Sequence, residues 1–197
     1  MTGTPGRPLS AELSEQLLSV AVDILAEEGL SRLNSDRVAA RARAGKAGIY
    51  RRWPSMAAMA QHAVSRFQLV PTPPDTGSVR GDLTAMVACW QHPLNREERA
   101  AASLVGAARH DEHLRAGLDA ALVAPLAAAI EEIGGRAAAR GEAVPGTRLA
   151  LLGSVLEAFW WQRFTAAGAP LDAAQIERVL DEVLLPIVAP DRATVAA

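Results

Sequence analysis

A single cysteine, Cys89, stands in a chain of 197 residues, which excludes an intrachain disulfide and any multi-cysteine metal site. Val, Ile and Thr are sparse beside Ala, and no long stretch alternates apolar with polar side chains. That pattern argues against sheet and for helix almost everywhere. Long apolar runs are also missing. The most apolar stretch, Leu149 to Trp161, is too short to span a bilayer and contains Glu157. Met1 to Arg7 has no apolar core behind its charge, so no signal peptide is expected, and a cytoplasmic location follows by elimination. Half the residues are hydrophobic and 21% are charged, enough to bury a core and too ordered a balance for a disordered chain.

Charge is scarce overall but unevenly placed. Residues 30–66 carry eight basic side chains (Arg32, Arg37, Arg41, Arg43, Lys46, Arg51, Arg52 and Arg66) against Asp36, a local +7. Residues 67–197 carry eleven basic and sixteen acidic residues, a net −5. One segment is therefore suited to a polyanion and the remainder is not. A solvated basic helix face gives the same count, so charge alone does not decide.

Helical signals divide the chain at Val70 to Gly77, a proline-rich stretch that cannot continue a helix and acts as a stiff connection. Ahead of it, Ser10 caps a helix through Leu13, Leu17, Ala21, Ile24 and Leu25 that closes at Glu27-Glu28-Gly29. Ser35 or Asn34 caps a second, short helix through Val38 and Ala42. A third covers roughly Lys46 to Arg52 and stops at Trp53-Pro54. Ser55 caps a fourth through Met59, Ala63 and Phe67. Beyond the linker, helices are expected over about Val79–Trp90, Glu97–Arg109, Glu112–Arg140, Thr147–Ala167 and Asp172–Ile187, with Pro125 and Gly134-Gly135 splitting or kinking the third. The expected architecture is all-α, with residues 1–67 as a helix-turn-helix DNA-binding domain and 75–189 as a larger helical domain.

The segment from Val38 to Ser55 carries the chemistry. Val38, Ala39, Ala42, Ala44 and Ile49 are small or apolar enough for two short helices to pack at a steep angle. Gly45, Ala47 and Gly48 at the start of the second helix let its backbone approach a major groove, where its N-terminus favours a phosphate. Lys46, Tyr50, Arg51 and Arg52 then project donors to phosphates or base edges, with Arg51 or Arg52 the candidate for a guanine edge. Ser35 and Arg43 complete the expected DNA surface.

This stretch resembles the TetR family signature, in which an Ile/Val-Ala pair leads into a turn, then Lys-Gly-X-Leu-Tyr, an aromatic and Ser-Lys. The resemblance covers residues 12–67; beyond them only length and helix count agree. It implies operator binding as a homodimer, with an unidentified small-molecule effector in the C-terminal domain releasing the DNA. Three positions depart from the signature. Arg43 stands where the turn usually has Gly, at a cost if its φ is positive. Met56 replaces the usual Lys, and Gly48 replaces a Thr, Ser or Ala that often touches a base.

Other constellations are weaker. His110-Asp111-Glu112-His113 places two imidazoles three apart, but zinc wants three or four ligands, and Asp111 reads as a helix cap. Cys89 and His92 lack an orienting acid or oxyanion hole, so Cys89 reads as a buried thiol. Gly134-Gly135 has no strand before it and no Lys-Ser/Thr after it, so there is no phosphate loop. No cofactor is expected.

Two functional surfaces are expected after the linker. Ile176, Val179, Leu180, Val183, Leu184 and Ile187 give the last helix a wide apolar stripe. Joined by Leu149, Leu152, Leu156 and Trp160, it reads as a two-fold dimer interface. An effector pocket is expected among the helices bearing Met86, Trp90, Phe159, Trp161 and Phe164, with His110, His113, Gln162 and Arg163 as polar groups. So few charges point to an apolar, partly aromatic ligand. Two rivals stand beside this reading. One is an all-α enzyme or small-molecule carrier whose basic N-terminus is incidental. The other is a regulator with no small-molecule ligand.

Overall fold

The computed structural model describes residues 11–165 and 169–189. Every regular element among them is helical. The chain packs as two units, one holding the described part of Met1–Phe67 with Arg96–Leu118, the other Gln68–Asn95 with Asp119 onward. The expected cap Ser10 and the expected end of the Thr147–Ala167 helix lie outside the described residues.

In the first unit, α1 (Ala11–Glu28) buries Leu17, Leu18, Ala21, Ile24 and Leu25. Gly29 ends it at φ +82°, its N–H donating to the carbonyls of Ile24 and Leu25, a turn that glycine takes without steric cost. A 3₁₀ turn, Leu30–Arg32, leads to α2 (Ser35–Ala42), and α3 (Lys46–Tyr50) and α4 (Met56–Val64) follow. Asn34, not Ser35, caps α2 by accepting the Arg37 N–H, and Ser55 caps α4 through the Ala58 N–H. The expected helix over Glu97–Arg109 breaks at Ser103-Leu104 into α6 (Arg96–Ala102) and α7 (Val105–Ala108). With α8 (Glu112–Leu118), whose cap is Asp111, these elements belong to this unit. The reason lies in long-range contacts. Arg96 bonds Asp23 at 2.6 Å and the Ser19 carbonyl at 2.8 Å. Gly117 lets α8 lie against the α4 backbone, where a Cβ would stand 3.1 Å from Gln61 Cα. Packing thus separates residues 96–118 from the remainder of the 75–189 span expected as one domain.

In the second unit, α5 (Val79–Val87) is capped by Ser78 and passes into a 3₁₀ turn at Ala88–Gln91. A π-helical turn, Asp119–Val123, precedes α9 (Ala124–Ala139), which is followed by α10 (Gly146–Thr165). Then α11 (Ala173–Val179) runs through a second π turn, Leu180–Leu184, into α12 (Leu185–Val188). Each π turn ends two residues before a proline, Pro125 or Pro186. The missing N–H and the ring of proline remove the ordinary i→i−4 bond, and the helix widens there instead of stopping. Gly134-Gly135 do not split α9; at Gly134 the missing side chain makes room for Leu149 of α10. The linker is fastened from within this unit: buried Asp82 accepts the Thr76 N–H at 2.8 Å and its hydroxyl at 2.6 Å.

Candidate DNA interface and effector cavity

The helix-turn-helix is seated by α1. Val38, Ala42 and Ile49 are buried between the short helices and α1, and Gln16 Nε2 donates to the Ala42 carbonyl at 3.1 Å, satisfying an orphan acceptor at the end of α2. Arg37 and Arg41 ion-pair with Glu27 and Glu28 of α1, and Arg66 with Glu15. Three of the eight cations in the basic segment are therefore neutralised by acids lying before it. Arg32, Arg43 and Arg51 are exposed and meet no carboxylate among the described residues.

Tyr50 is 53% exposed and its hydroxyl donates to Ser35 Oγ at 3.0 Å. Ser35 is itself buried, so it serves by holding the Tyr50 ring. Gly45 and Ala47 are exposed at the start of α3. A Cβ would meet nothing within 4 Å at Gly45 and only Arg52 Nη1, at 3.7 Å, at Gly48. The protein's own packing demands glycine at neither position. Arg52 departs from expectation. It is half-buried, with Nε donating to Ser14 Oγ at 2.8 Å and Nη1 to the Gly48 carbonyl at 2.8 Å. Its guanidinium braces α3 against α1 instead of projecting outward, which leaves Arg51 as the exposed candidate for a base edge. Behind α3, buried Trp53 donates its indole N–H to His62 Nδ1 at 3.0 Å. Sequence reading used Trp53 only as a stop signal and missed Ser14, Gln16 and His62, because each acts across 9 to 38 residues.

Arg43 occupies the left-handed region at φ 51°, ψ 42°. A non-glycine residue there costs roughly 1–2 kcal/mol. Arg43→Gly is therefore expected to stabilise the fold by about 1 kcal/mol while removing an exposed cation. Thermal melting should rise and operator affinity should fall in the same variant.

Lys46 is ion-paired with Asp36. By accepting a hydrogen bond, and then by its charge, the Asp36 carboxylate holds the Lys46 ammonium above the ordinary lysine range. Lys46 stays charged but partly neutralised. Asp36→Asn is expected to raise operator affinity several-fold and to steepen its salt dependence by about one unit of slope. An unchanged slope would place Lys46 away from phosphate.

Two open spaces are lined by described residues of the second unit. A groove of about 450 Å³ runs between α9 and α10, lined by Leu126, Ile130, Leu149 and Gly153 with Glu131 and Glu157. A smaller cavity of about 170 Å³ is lined by Trp90, Phe159, Gln162, Arg163, Leu171 and Gln175. Phe159 stacks on Trp90 at 5.3 Å, and Trp160 meets Trp90 edge-on at 5.0 Å. Of the expected effector residues, this cavity gathers Trp90, Phe159, Gln162 and Arg163. Met86 is wholly buried, while Trp161 pairs edge-on with Phe164 and donates to Glu157. His110 and His113 are exposed in the other unit, where His113 Nδ1 lies 2.8 Å from Gln61 Oε1. Helical spacing could not reveal that α8 packs with α4. Among the described residues, no three His, Cys, Asp or Glu side chains converge on a metal position.

Comparison with known proteins gives this geometry its context. Residues 17–63 match the model of bacterial regulatory proteins of the tetR family, and residues 73–183 match that of the tetracyclin repressor-like C-terminal domain. The chain belongs to the TetR family. A DNA-binding transcriptional repressor TetR of Mycobacteroides abscessus is 35% identical over 184 residues, 90% of this chain and 94% of that protein. An uncharacterized HTH-type transcriptional regulator of Mycobacterium tuberculosis is 48% identical over 69 residues, 34% of each chain. The crystal structure of the TetR family transcription regulator SCO0332 covers 91% of this chain at a TM-score of 0.62 and 28% identity, and is itself covered completely. As a TetR-family member the protein is a DNA-binding transcriptional regulator, not an enzyme, and the helix-turn-helix is its DNA-binding element. No helix among the described residues is long and apolar enough to cross a membrane.

The expected TetR-type dimer stripe needs correction at six positions. Leu152, Leu156, Trp160, Ile176, Leu180 and Leu184 are all at most 2% exposed within the single chain. Their stripe is consumed by the subunit's own core, because α10, α12 and the π turn before it pack on one another. Leu149, Val179, Val183 and Ile187 keep part of their surface, and Leu151, outside the expected set, is 53% exposed.

Proposed function

We propose that this TetR-family regulator represses transcription by occupying an operator as a cytoplasmic homodimer, and that a small molecule in the Trp90–Phe159 cavity releases it. Residues 1–67 hold the DNA, and 75–189 carry the ligand and the dimer contact, with 96–118 packed on the DNA-binding unit. The single observation that supports ligand control is the cavity itself, where the stacked rings of Trp90 and Phe159 meet the polar side chains of Gln162 and Gln175. Repression is supported by the Mycobacteroides abscessus relative, a transcriptional repressor by name, which this chain spans almost completely. Dimerisation is supported by the apolar surface left on α10 and on the final helix, at Leu151, Val179, Val183 and Ile187. Two recognition helices related by a two-fold axis suit half-sites roughly 34–36 Å apart, or a multiple of that. Release requires that the ligand bind the DNA-incompetent conformation more tightly than the competent one.

The test is a titration of DNA from around the protein's own gene with purified protein, followed by light scattering of the bound and free states. A dimer on a palindromic fragment, displaced by a compound that also quenches tryptophan fluorescence, supports the reading. A monomer, or quenching with the DNA still bound, overturns the corresponding part.

A further inference from the structure

The groove between α9 and α10 has a chemistry of its own. It measures about 450 Å³, and Leu126, Ile130, Leu149 and Gly153 give it an apolar floor. Two of its lining residues are charged, Glu131 of α9 and Glu157 of α10, and none is basic. Neither carboxylate is neutralised along its own helix. No Lys, Arg or His stands three or four positions from either, where an intrahelical ion pair forms. Glu157 is half-buried, and one oxygen accepts the Trp161 indole N–H at 2.8 Å, which fixes the side chain. Its other oxygen takes no further bond among the described residues, and exposed Glu131 takes none. Gly134 sits beside Leu149 and Gly153 beside Ile130, so the two helices run antiparallel. Glu157 stands four residues past Gly153 and Glu131 one past Ile130 in the opposite direction, which separates their backbone positions by roughly 7 Å along the groove. A half-buried carboxylate without a counter-charge is unfavourable, and so is an apolar floor left to water. A molecule that joins a cation to an apolar body relieves both.

We infer that this groove binds a small amphiphilic ammonium ion, its nitrogen on the free oxygen of Glu157 and its apolar body along Leu126 and Ile130. Glu131 adds negative charge at the rim and turns anions away. The groove shares no lining residue with the Trp90–Phe159 cavity, so this site stands or falls apart from the release reading. A second copy of the chain fits the groove worse. A two-fold contact centred here would bring four carboxylates together with no basic lining residue to oppose them. Leu151, 53% exposed and assigned to the dimer contact, is not among the lining residues.

Equilibrium dialysis of the full chain against phenylbutylamine, phenylbutanol and phenylbutyrate compares a cation, a neutral molecule and an anion on one skeleton. The amine is protonated at neutral pH. It is expected to bind about five- to tenfold more tightly than the alcohol, and the acid more weakly than either. Moderate salt should erase the advantage of the amine and leave the alcohol unchanged. Glu131→Gln combined with Glu157→Gln should bring the three affinities together, while glutamine at 157 keeps an acceptor for the Trp161 N–H. The probe and salt comparisons use the parent protein, so a variant that fails to fold leaves them decisive. Equal binding of amine and alcohol overturns the ammonium. An amine preference that survives the double substitution places the cation elsewhere and overturns the groove. Uptake of none of the three at millimolar concentration overturns the inferred ligand, and a dimer then dissociated by Ala150→Arg would make the second copy the occupant.

Discussion

Arg51→Ala is expected to lower operator affinity about 10- to 100-fold for each half-site, the effect of losing one bidentate base contact. Arg51 is exposed immediately after α3 and meets no carboxylate among the described residues, so its guanidinium is available to a guanine edge at no cost in internal contacts. The loss should be largest on the cognate operator and small on unrelated DNA. Lys46→Ala and Tyr50→Phe should behave differently, weakening all sequences alike and lowering the salt slope by about one unit per lost phosphate contact. Arg52→Ala provides the contrast. Its bonds to Ser14 and the Gly48 carbonyl tie α3 to α1, so its removal should lower the melting temperature by the equivalent of about 1–2 kcal/mol. Gel shifts on cognate and scrambled fragments, run beside thermal melts, separate these outcomes. Wild-type discrimination by Arg51→Ala would remove it as the base reader. An unchanged melt for Arg52→Ala would remove its bracing role.

The helix ends and the bracing contacts differ in how far along the chain their causes lie. Gly29, Asn34, Ser55 and Asp172 act within three to five residues of the groups they satisfy, so local chemistry is enough to place the ends of α1, α2, α4 and α11. At Arg43 only the resemblance to a signature with Gly in the turn raised the question of a positive φ, which the backbone takes. The bracing role of Arg52 was not legible. Its place two residues after Tyr50 groups it in sequence with the other donors of the segment, but Ser14, 38 residues earlier, draws its guanidinium back. Residues 96–118 follow the linker in sequence yet pack against α1 and α4, through an Arg96–Asp23 pair and a glycine contact at Gly117 that no local pattern encodes. The cavity shows both cases at once. Its aromatic wall was visible because Phe159 and Trp90 lie on apolar helices. Its arginine, Arg163, was named with them, but the carbonyls of Trp90 and His92 that hold its guanidinium lie 73 and 71 residues earlier, beyond any local pattern.

Leu151→Glu combined with Val183→Glu is expected to yield a folded monomer with operator affinity about 10²–10⁴-fold lower, the loss that follows when a second half-site no longer binds intramolecularly. Both side chains keep surface in the single chain, so charging them adds no buried charge to the subunit itself. In a dimer centred on α10 and the final helix the same carboxylates would be desolvated against their symmetry mates, where like charges repel. Trp160→Ala tests the corrected assignment from the other side. Trp160 is 0% exposed and packs edge-on against Trp90, so removing it should cost about 3–5 kcal/mol of subunit stability. Its primary effect should be a lower melting temperature, with association weakened only as the fold is lost. Light scattering across a concentration series, paired with melts of each variant, distinguishes the two. If the double glutamate variant remains a dimer, the proposed face is wrong. If Trp160→Ala instead dissociates without a change in melting, the buried stripe reaches the partner after all and the interface must be redrawn around it.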